Sequence, residues 1–153
     1  MEEKLKKILN HYGEEAQSNQ YRQELSELTV GLTKKDDENI KEEIADVKVM
    51  TKQALMFEGV DLKNYKELKE KYRLKIENDK KRIEYILSVI LVVIQERILV
   101  EGKWTIGEDI AALEYYLDRY MEINNISKEE IEKEMEHKIN RQLERIEREK
   151  VNK

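Results

Sequence analysis

Two pairs of carboxylates, each pair spaced three residues apart, are the residues of this sequence best suited to chemistry. Glu24 and Glu27 form the first pair, and Glu43 and Asp46 form the second. Residues three apart on a helix share one face, so each pair can converge on one point. Four carboxylates without histidine or cysteine make a hard anionic site that suits Mg²⁺, with Mn²⁺ as an alternative. Mutual repulsion should raise the pKa of at least one of them.

Each pair lies beside an apolar stripe that would turn it toward a protein core. The first stripe repeats at helical spacing and consists of Tyr21, Leu25, Leu28 and Leu32. In the second pair, Asp46 lies in a segment of low charge, residues 44–47, which directly follows Glu43. Similar acidic pairs occur elsewhere, for example Glu67 with Glu70, so a solvated helix face is the alternative interpretation of any single pair.

The elements that must position these residues are helices. Proline is absent, glycine occurs five times and 41% of residues are charged, which favours long solvated helices. The apolar periodicity predicts seven helices, with interruptions at 33–39, 58–61 and 101–105. The fourth helix should run on to Ile83. The fifth, over about 85–100, is apolar nearly all round and is expected at the centre of an all-α bundle.

Two stretches of the sequence recur further along the chain, after 66 and 63 residues, which predicts duplicated units. Residues 42–47, Glu-Glu-Ile-Ala-Asp-Val, resemble residues 108–113, Glu-Asp-Ile-Ala-Ala-Leu, and Lys75-Ile76 recurs as Lys138-Ile139. Chance similarity between charged helices is the alternative. We expect a metal-binding unit at 1–84 and a degenerate repeat at 85–153, packed together as one bundle. The repeat should lack a metal site, because Asp46 becomes Ala112 and Glu24 and Glu27 fall among Ile90 and Val93.

Charge and composition exclude several classes of partner. The 29 basic and 34 acidic residues are interspersed, leaving no cationic face for nucleic acid. The longest apolar run, 86–94, is far shorter than the ~20 residues of a membrane span, and Met1-Glu2-Glu3-Lys4 does not resemble a signal peptide. Cysteine is absent. These features predict a cytoplasmic protein without nucleic-acid or membrane partners.

The carboxylate pattern resembles that of a known family. Residues 23–27, Gln-Glu-Leu-Ser-Glu, a charged loop and residues 42–47 are similar to the E-E-x-x-E … E-x-x-D signature of MazG-like all-α nucleoside triphosphate pyrophosphohydrolases. That family is related to dimeric all-α dUTPases and phosphoribosyl-ATP pyrophosphatases. Gln23 departs from a glutamate that varies in the family. The resemblance covers about residues 10–84 and implies a MazG-like helical bundle, here a tandem pseudo-duplicated one with a degenerate second copy.

The activity implied by this resemblance is hydrolysis of a nucleoside triphosphate to the monophosphate and pyrophosphate, in control of nucleotide pools. Mg²⁺ held by Glu24, Glu27, Glu43 and Asp46 would clamp the phosphates. Glu24 and Glu27 would be the catalytic residues, with Glu27 orienting or deprotonating a water. The nucleotide is left open between dUTP, dCTP, an oxidised nucleotide and phosphoribosyl-ATP.

Substrate-binding residues are expected around this centre. The candidates for the phosphates are Lys75, Asn78 and Arg82, with Lys138 and Arg141 serving the same purpose in the second copy. Tyr21 is a candidate for stacking on the base. The family joins two subunits into one core, which implies either a homodimer or an internal pseudo-dimer. Two alternatives remain: a weakly active or inactive protein of this fold that senses nucleotides or binds a partner, and a charged helical oligomer whose carboxylate pattern is accidental.

Overall fold

The structure, a computed structural model, describes residues 1–73 and 78–152, and all regular structure within them is α-helical. The helices are α1 (Glu2–Tyr12), α2 (Glu14–Lys34), α3 (Asp37–Phe57), α4 (Leu62–Arg73), α5 (Lys80–Glu101), α6 (Glu108–Ile123) and α7 (Lys128–Val151). This confirms the predicted all-α bundle. None of these helices is long and apolar enough to cross a lipid bilayer.

Local sequence signals explain where several helices begin and end. The Asp36 carboxylate accepts a hydrogen bond from the backbone N–H of Asn39 and caps α3. Ser127 and Glu130 form a capping box at the start of α7. Gly102 ends α5 in the left-handed conformation, with φ of 76°, where a glycine has no steric penalty.

The fourth and fifth helices are divided differently from the sequence prediction. The Asp79 carboxylate accepts hydrogen bonds from the backbone N–H groups of Lys81 and Arg82, so that a new helix begins at Lys80. Ile83 therefore belongs to α5 rather than to α4. The boundary expected between residues 84 and 85 falls inside α5. The boundary between the two halves of the chain therefore lies just before Lys80, where α5 begins.

The helices of the two halves match at a constant interval of 66 residues, the separation of Thr29 from Gln95, which is termed here the repeat interval. Helices α2 and α5 start one repeat interval apart, and so do α4 and α7. The buried apolar positions of the first pair of helices repeat at the same interval: Tyr21, Leu25, Leu28 and Leu32 in α2, and Leu87, Leu91, Ile94 and Ile98 in α5. The match thus extends to the core-facing side chains.

The contacts between helices follow the pattern of two halves related by a pseudo-two-fold axis. Helix α2 packs on α3 as α5 packs on α6, and α3 packs on α7 as α6 packs on α4. Helices α2 and α5 face each other, and Gln95 donates a hydrogen bond to Thr29, its own counterpart in the first half. The buried residues of both halves form one hydrophobic cluster.

Helix α5 is not buried all round, contrary to the expectation from its composition. One face packs between α2 and α6, while α7 packs chiefly on α3 and α1. The opposite face leaves apolar side chains in solvent, among them Tyr85, Val92 and Leu99. A helix at the edge of two others is covered on one side only, however apolar its sequence is.

Candidate metal site

Helices α2 and α3 form an antiparallel hairpin that positions the carboxylates. Near the turn Gly31 lies against Ile40, and two to three turns further along the hydroxyls of Tyr21 and Thr51 are 2.6 Å apart. This pairing of early with late residues shows that the two helices are antiparallel. It brings the acidic pair of each helix to the same level of the hairpin.

The structure brings all four predicted carboxylates together. Each of Glu24, Glu27, Glu43 and Asp46 offers an oxygen, and these oxygens all lie within 4.8 Å of one another. Opposite oxygens around a Mg²⁺ ion with bonds of about 2.1 Å are about 4.2 Å apart, so the cluster has the dimensions of one coordination sphere. This geometry agrees with the prediction that the two carboxylate pairs converge on one point.

Hydrogen bonds hold the cluster in place and still leave oxygens for a ligand. The Gln20 amide donates to Glu24 Oε1 at 2.6 Å, and the Gln23 amide donates to Glu27 Oε1 at 3.2 Å. The second oxygens, Oε2 of Glu24 and Oε2 of Glu43, are buried without a hydrogen-bond partner in the described part of the chain. Buried carboxylate oxygens of this kind fit a divalent cation, which would satisfy both of them.

The pKa values of the clustered carboxylates are also consistent with a cation-binding site. Burial, followed by the negative charge of Asp46, raises the pKa of Glu24 to about 8. Burial and the charges of Glu27 and Asp46 raise the pKa of Glu43 to about 7. Burial also raises the pKa of Asp46, although the Lys138 ammonium opposes that rise. The expected rise is present, but burial contributes more to it than mutual repulsion does.

A cleft of about 230 Å³ opens beside the cluster, and α7 supplies its cationic wall. The cleft is lined by Gln20, Glu24, Asp46, Val49, Met50, Lys138, Arg141, Gln142 and Arg145. The Lys138 ammonium donates to Asp46 Oδ2 at 2.7 Å. The site therefore combines carboxylates from the first half of the chain with cations from the second half.

The other predicted substrate-binding residues lie elsewhere. The side chain of Tyr21 is fully buried, and its ring packs edge-on to Trp104 in the core, so it offers no surface for stacking on a base. Asn78 accepts a hydrogen bond from Arg119 and lines a separate cavity with Tyr115 and Lys128. Arg82 lies in the first turn of α5 and does not line the cleft. Lys75 lies outside the described residues.

The repeat-related position in the second half has lost its acidic character. Ile90, Val93 and Ala112 stand one repeat interval after Glu24, Glu27 and Asp46, as expected from the sequence. Asp109, the counterpart of Glu43, is paired with Arg97 at 2.9 Å. Because Arg97 replaces Gly31 of the first half, the one remaining carboxylate there is neutralised by the protein itself.

Sequence reasoning missed Gln20, Gln142 and Arg145 as members of the site. Gln20 carried a signal, since it precedes Glu24 by one helical turn on the same face. Gln142 and Arg145 on α7 were missed because the sequence match aligned Lys138 with Lys75, which assigned α7 to a separate second copy. At the repeat interval the counterpart of Lys138 is instead Tyr72.

Comparison of this chain with protein-family models, with curated proteins and with solved structures finds no match. The functional conclusion therefore depends on the geometry and chemistry of the site itself.

Proposed function

We propose that this chain is a Mg²⁺-dependent nucleoside triphosphate pyrophosphohydrolase of MazG-like fold, with one active site per chain. The observation that carries the proposal is the convergence of Glu24, Glu27, Glu43 and Asp46 on one point, with ligand oxygens within 4.8 Å, beside a cationic cleft. A cluster of acids suits a metal ion and a row of cations suits phosphate oxygens. The acidic cluster and the cations lie side by side, and together they suit a substrate whose phosphate oxygens would also coordinate the metal.

The reaction is cleavage of the anhydride bond between the α- and β-phosphates by water. When bound, Mg²⁺ would neutralise phosphate charge and lower the pKa of a coordinated water. Glu27 accepts the proton of the attacking water, with Glu24 beside it. The leaving pyrophosphate carries away the bridging oxygen.

Three residues of α7 are assigned to the phosphates. Lys138, Arg141 and Arg145 follow one another at intervals of three and four residues and line the cleft together. Lys138 balances the charge of Asp46. Once a divalent cation balances the carboxylates, the Lys138 ammonium is available to a phosphate oxygen. The residues bind and orient the substrate so that its anhydride lies next to the carboxylates.

The direct test is pyrophosphate release from a panel of nucleoside and deoxynucleoside triphosphates, including dUTP and dCTP, with and without Mg²⁺. We expect Mg²⁺-dependent release with at least one nucleotide and loss of that release in Glu24→Gln. Glu67→Gln is the matched control, because Glu67 belongs to an acidic pair on the exposed surface of α4. Release that continues unchanged in Glu24→Gln would remove the cluster from the mechanism.

A second candidate is a nucleotide sensor of the same fold with little or no turnover. The second half lacks acidic residues at three of the four equivalent positions. The fold therefore forms without a complete carboxylate cluster in that half, and this observation favours the sensor as the second candidate. Calorimetric titration with a triphosphate whose α,β-bridging oxygen is replaced by methylene separates the two. Mg²⁺-dependent binding of the analogue without hydrolysis of any natural triphosphate would support the sensor.

A further inference from the structure

The outward face of α5 carries an apolar stripe that the fold does not cover. Six of its side chains, termed here the α5 stripe, are exposed as follows: Tyr85 67%, Val89 45%, Val92 52%, Val93 46%, Leu99 64% and Val100 74%. Their spacing of three, four and seven residues places them along one side of the helix. Several exposed apolar side chains on one side of a helix mark an interaction site more often than an isolated exposed residue does.

The internal repeat shows that the fold does not require apolar residues on this face. The residues at the equivalent positions in α2, one repeat interval earlier, are polar: Asn19, Gln23, Ser26, Glu27, Thr33 and Lys34. Helix α2 packs on α3 and α5 as α5 packs on α6 and α2, and α2 has α1 as an additional neighbour. The apolar character of the α5 stripe is therefore a property of this helix rather than of the architecture.

Charges on the same helix indicate what covers the stripe. On the side of the stripe, Lys81 is exposed in the first turn of α5 and Glu96 is exposed in its last two turns. An antiparallel copy of α5 that packs Val89 against Val92 brings the Tyr85 hydroxyl next to Glu96 and places Lys81 within about one helical turn of Glu96. A parallel copy would instead align lysine with lysine and glutamate with glutamate, which is unfavourable.

We propose that the α5 stripe is a self-association surface on which a second copy of this chain docks, with the two α5 helices antiparallel about a two-fold axis near residues 90 and 91. Such an axis makes the same patch serve both copies, the commonest arrangement in homo-oligomers. Val89 and Val92 form the centre of the contact. The opposite charges at the two ends of α5 fix its direction.

The proposed contact adjoins the carboxylate cluster. A groove between α2 and α5 is lined by Val92 and Leu99 of the stripe together with Gln23 and Glu27. A copy docked on the stripe covers the outer side of this groove. Docking would thus enclose the groove that Glu27 lines, which is separate from the cationic cleft. The proposal stands independently of any catalytic activity.

Sedimentation velocity over a concentration series tests the surface. The wild-type chain should form a dimer, and Val89→Gln combined with Val92→Ser should weaken it by about tenfold or more, because two apolar contacts are lost from each copy. These substitutions introduce the residues that α2 already carries at the equivalent positions, so the fold should tolerate them. Val151→Ser, at an exposed valine remote in sequence, is the control.

Two results would overturn the proposal. One is a wild-type chain that stays monomeric throughout the series, in which case the stripe serves some other protein. The other is a dimer that both sets of variants leave unchanged, which would place the contact elsewhere. Circular dichroism of the double variant shows whether its helices and melting temperature are retained.

Cysteine cross-linking tests the direction of the helices, because the natural chain contains no cysteine. A mixture of Val89→Cys and Val92→Cys chains should form the mixed disulfide in preference to either symmetric one. The antiparallel register brings these two positions within the roughly 7 Å between Cα atoms that a disulfide allows. Predominance of the symmetric products would refute the antiparallel arrangement.

Discussion

Glu27 differs from the other carboxylates of the cluster in what surrounds its side chain. Glu24 and Asp46 line the cationic cleft, whereas Glu27 lines the groove between α2 and α5. It accepts a hydrogen bond from Gln23 on the turn before it. A carboxylate that belongs to the acidic cluster and also borders an open groove is well placed to receive the proton of a water.

Glu27→Gln should accordingly reduce turnover more than it reduces metal binding. A glutamine retains one oxygen that can ligate a metal but cannot accept the proton, so kcat should fall by about 10²- to 10⁴-fold. Glu43→Gln, which removes a charge from a cluster residue whose Oε2 is buried and has no hydrogen-bond partner in the described part of the chain, should weaken Mg²⁺ binding as well. Steady-state kinetics with Mg²⁺ titration separate the two effects. Unchanged kcat in Glu27→Gln would transfer the role of base to Glu24.

The raised pKa values of Glu24, about 8, and Glu43, about 7, predict how stability depends on pH. A folded-state pKa above the unfolded one means that the native protein holds extra protons between the two values. The contribution of these two groups to the stability of the folded state is therefore complete below about pH 4.5 and is lost as the pH rises toward 8.

Without metal, the melting temperature should thus decline between pH 5 and 8, and Mg²⁺ should restore it most at the alkaline end. Scanning calorimetry at several pH values, with and without millimolar Mg²⁺, measures this. Glu24→Gln should flatten the dependence. A melting temperature that Mg²⁺ does not change at pH 8 would support a solvated acidic face.

At the scale of the helices, sequence periodicity predicted the carboxylate hairpin well. The stripe on α2 is spaced at three and four residues and α2 spans residues 14–34 as expected, so the direction of Glu24 and Glu27 followed from the core-facing side chains. The periodicity failed at Asp79, because apolar residues keep their spacing into α5 and the cap is one acidic residue among many. It also could not show that the Tyr21 hydroxyl finds a buried partner in Thr51.

Helix α7 makes a separate contribution that can be measured at Lys138. Lys138→Met should weaken the apparent affinity for the triphosphate about 10- to 100-fold, since a charge-assisted hydrogen bond to phosphate is lost. It should at the same time strengthen Mg²⁺ binding, because the cation that competes for Asp46 is removed. Opposite shifts of this kind would not follow from a merely structural role. Lys133→Met, at an exposed position on the same helix, should change neither quantity.

At the scale of the whole molecule, the two halves depend on each other for the site. Helix α7 belongs to the second half but packs on α3 of the first, and the hydrogen bond from Lys138 to Asp46 spans 92 residues. The sequence indicated the repeat through residues 42–47 and 108–113. It could not indicate which helix of one half would cover the other, because that depends on packing between segments distant in the chain. The two predicted units are therefore parts of a single core rather than separate binding modules.

The way in which the second half departs from the first predicts a single metal site per chain. Glu43 and Asp109 occupy equivalent positions, but only Glu43 has carboxylate neighbours, whereas Asp109 is bound to Arg97. Glu43→Gln should therefore weaken Mn²⁺ binding by at least about tenfold, as expected when a charged ligand is removed from a site. Asp109→Asn should leave Mn²⁺ binding unchanged and cost only the modest stability of its ion pair. Electron paramagnetic resonance of free Mn²⁺ during titration gives both values. If Asp109→Asn also removed part of the bound Mn²⁺, the second half would hold a metal site of its own and the chain would retain two working halves.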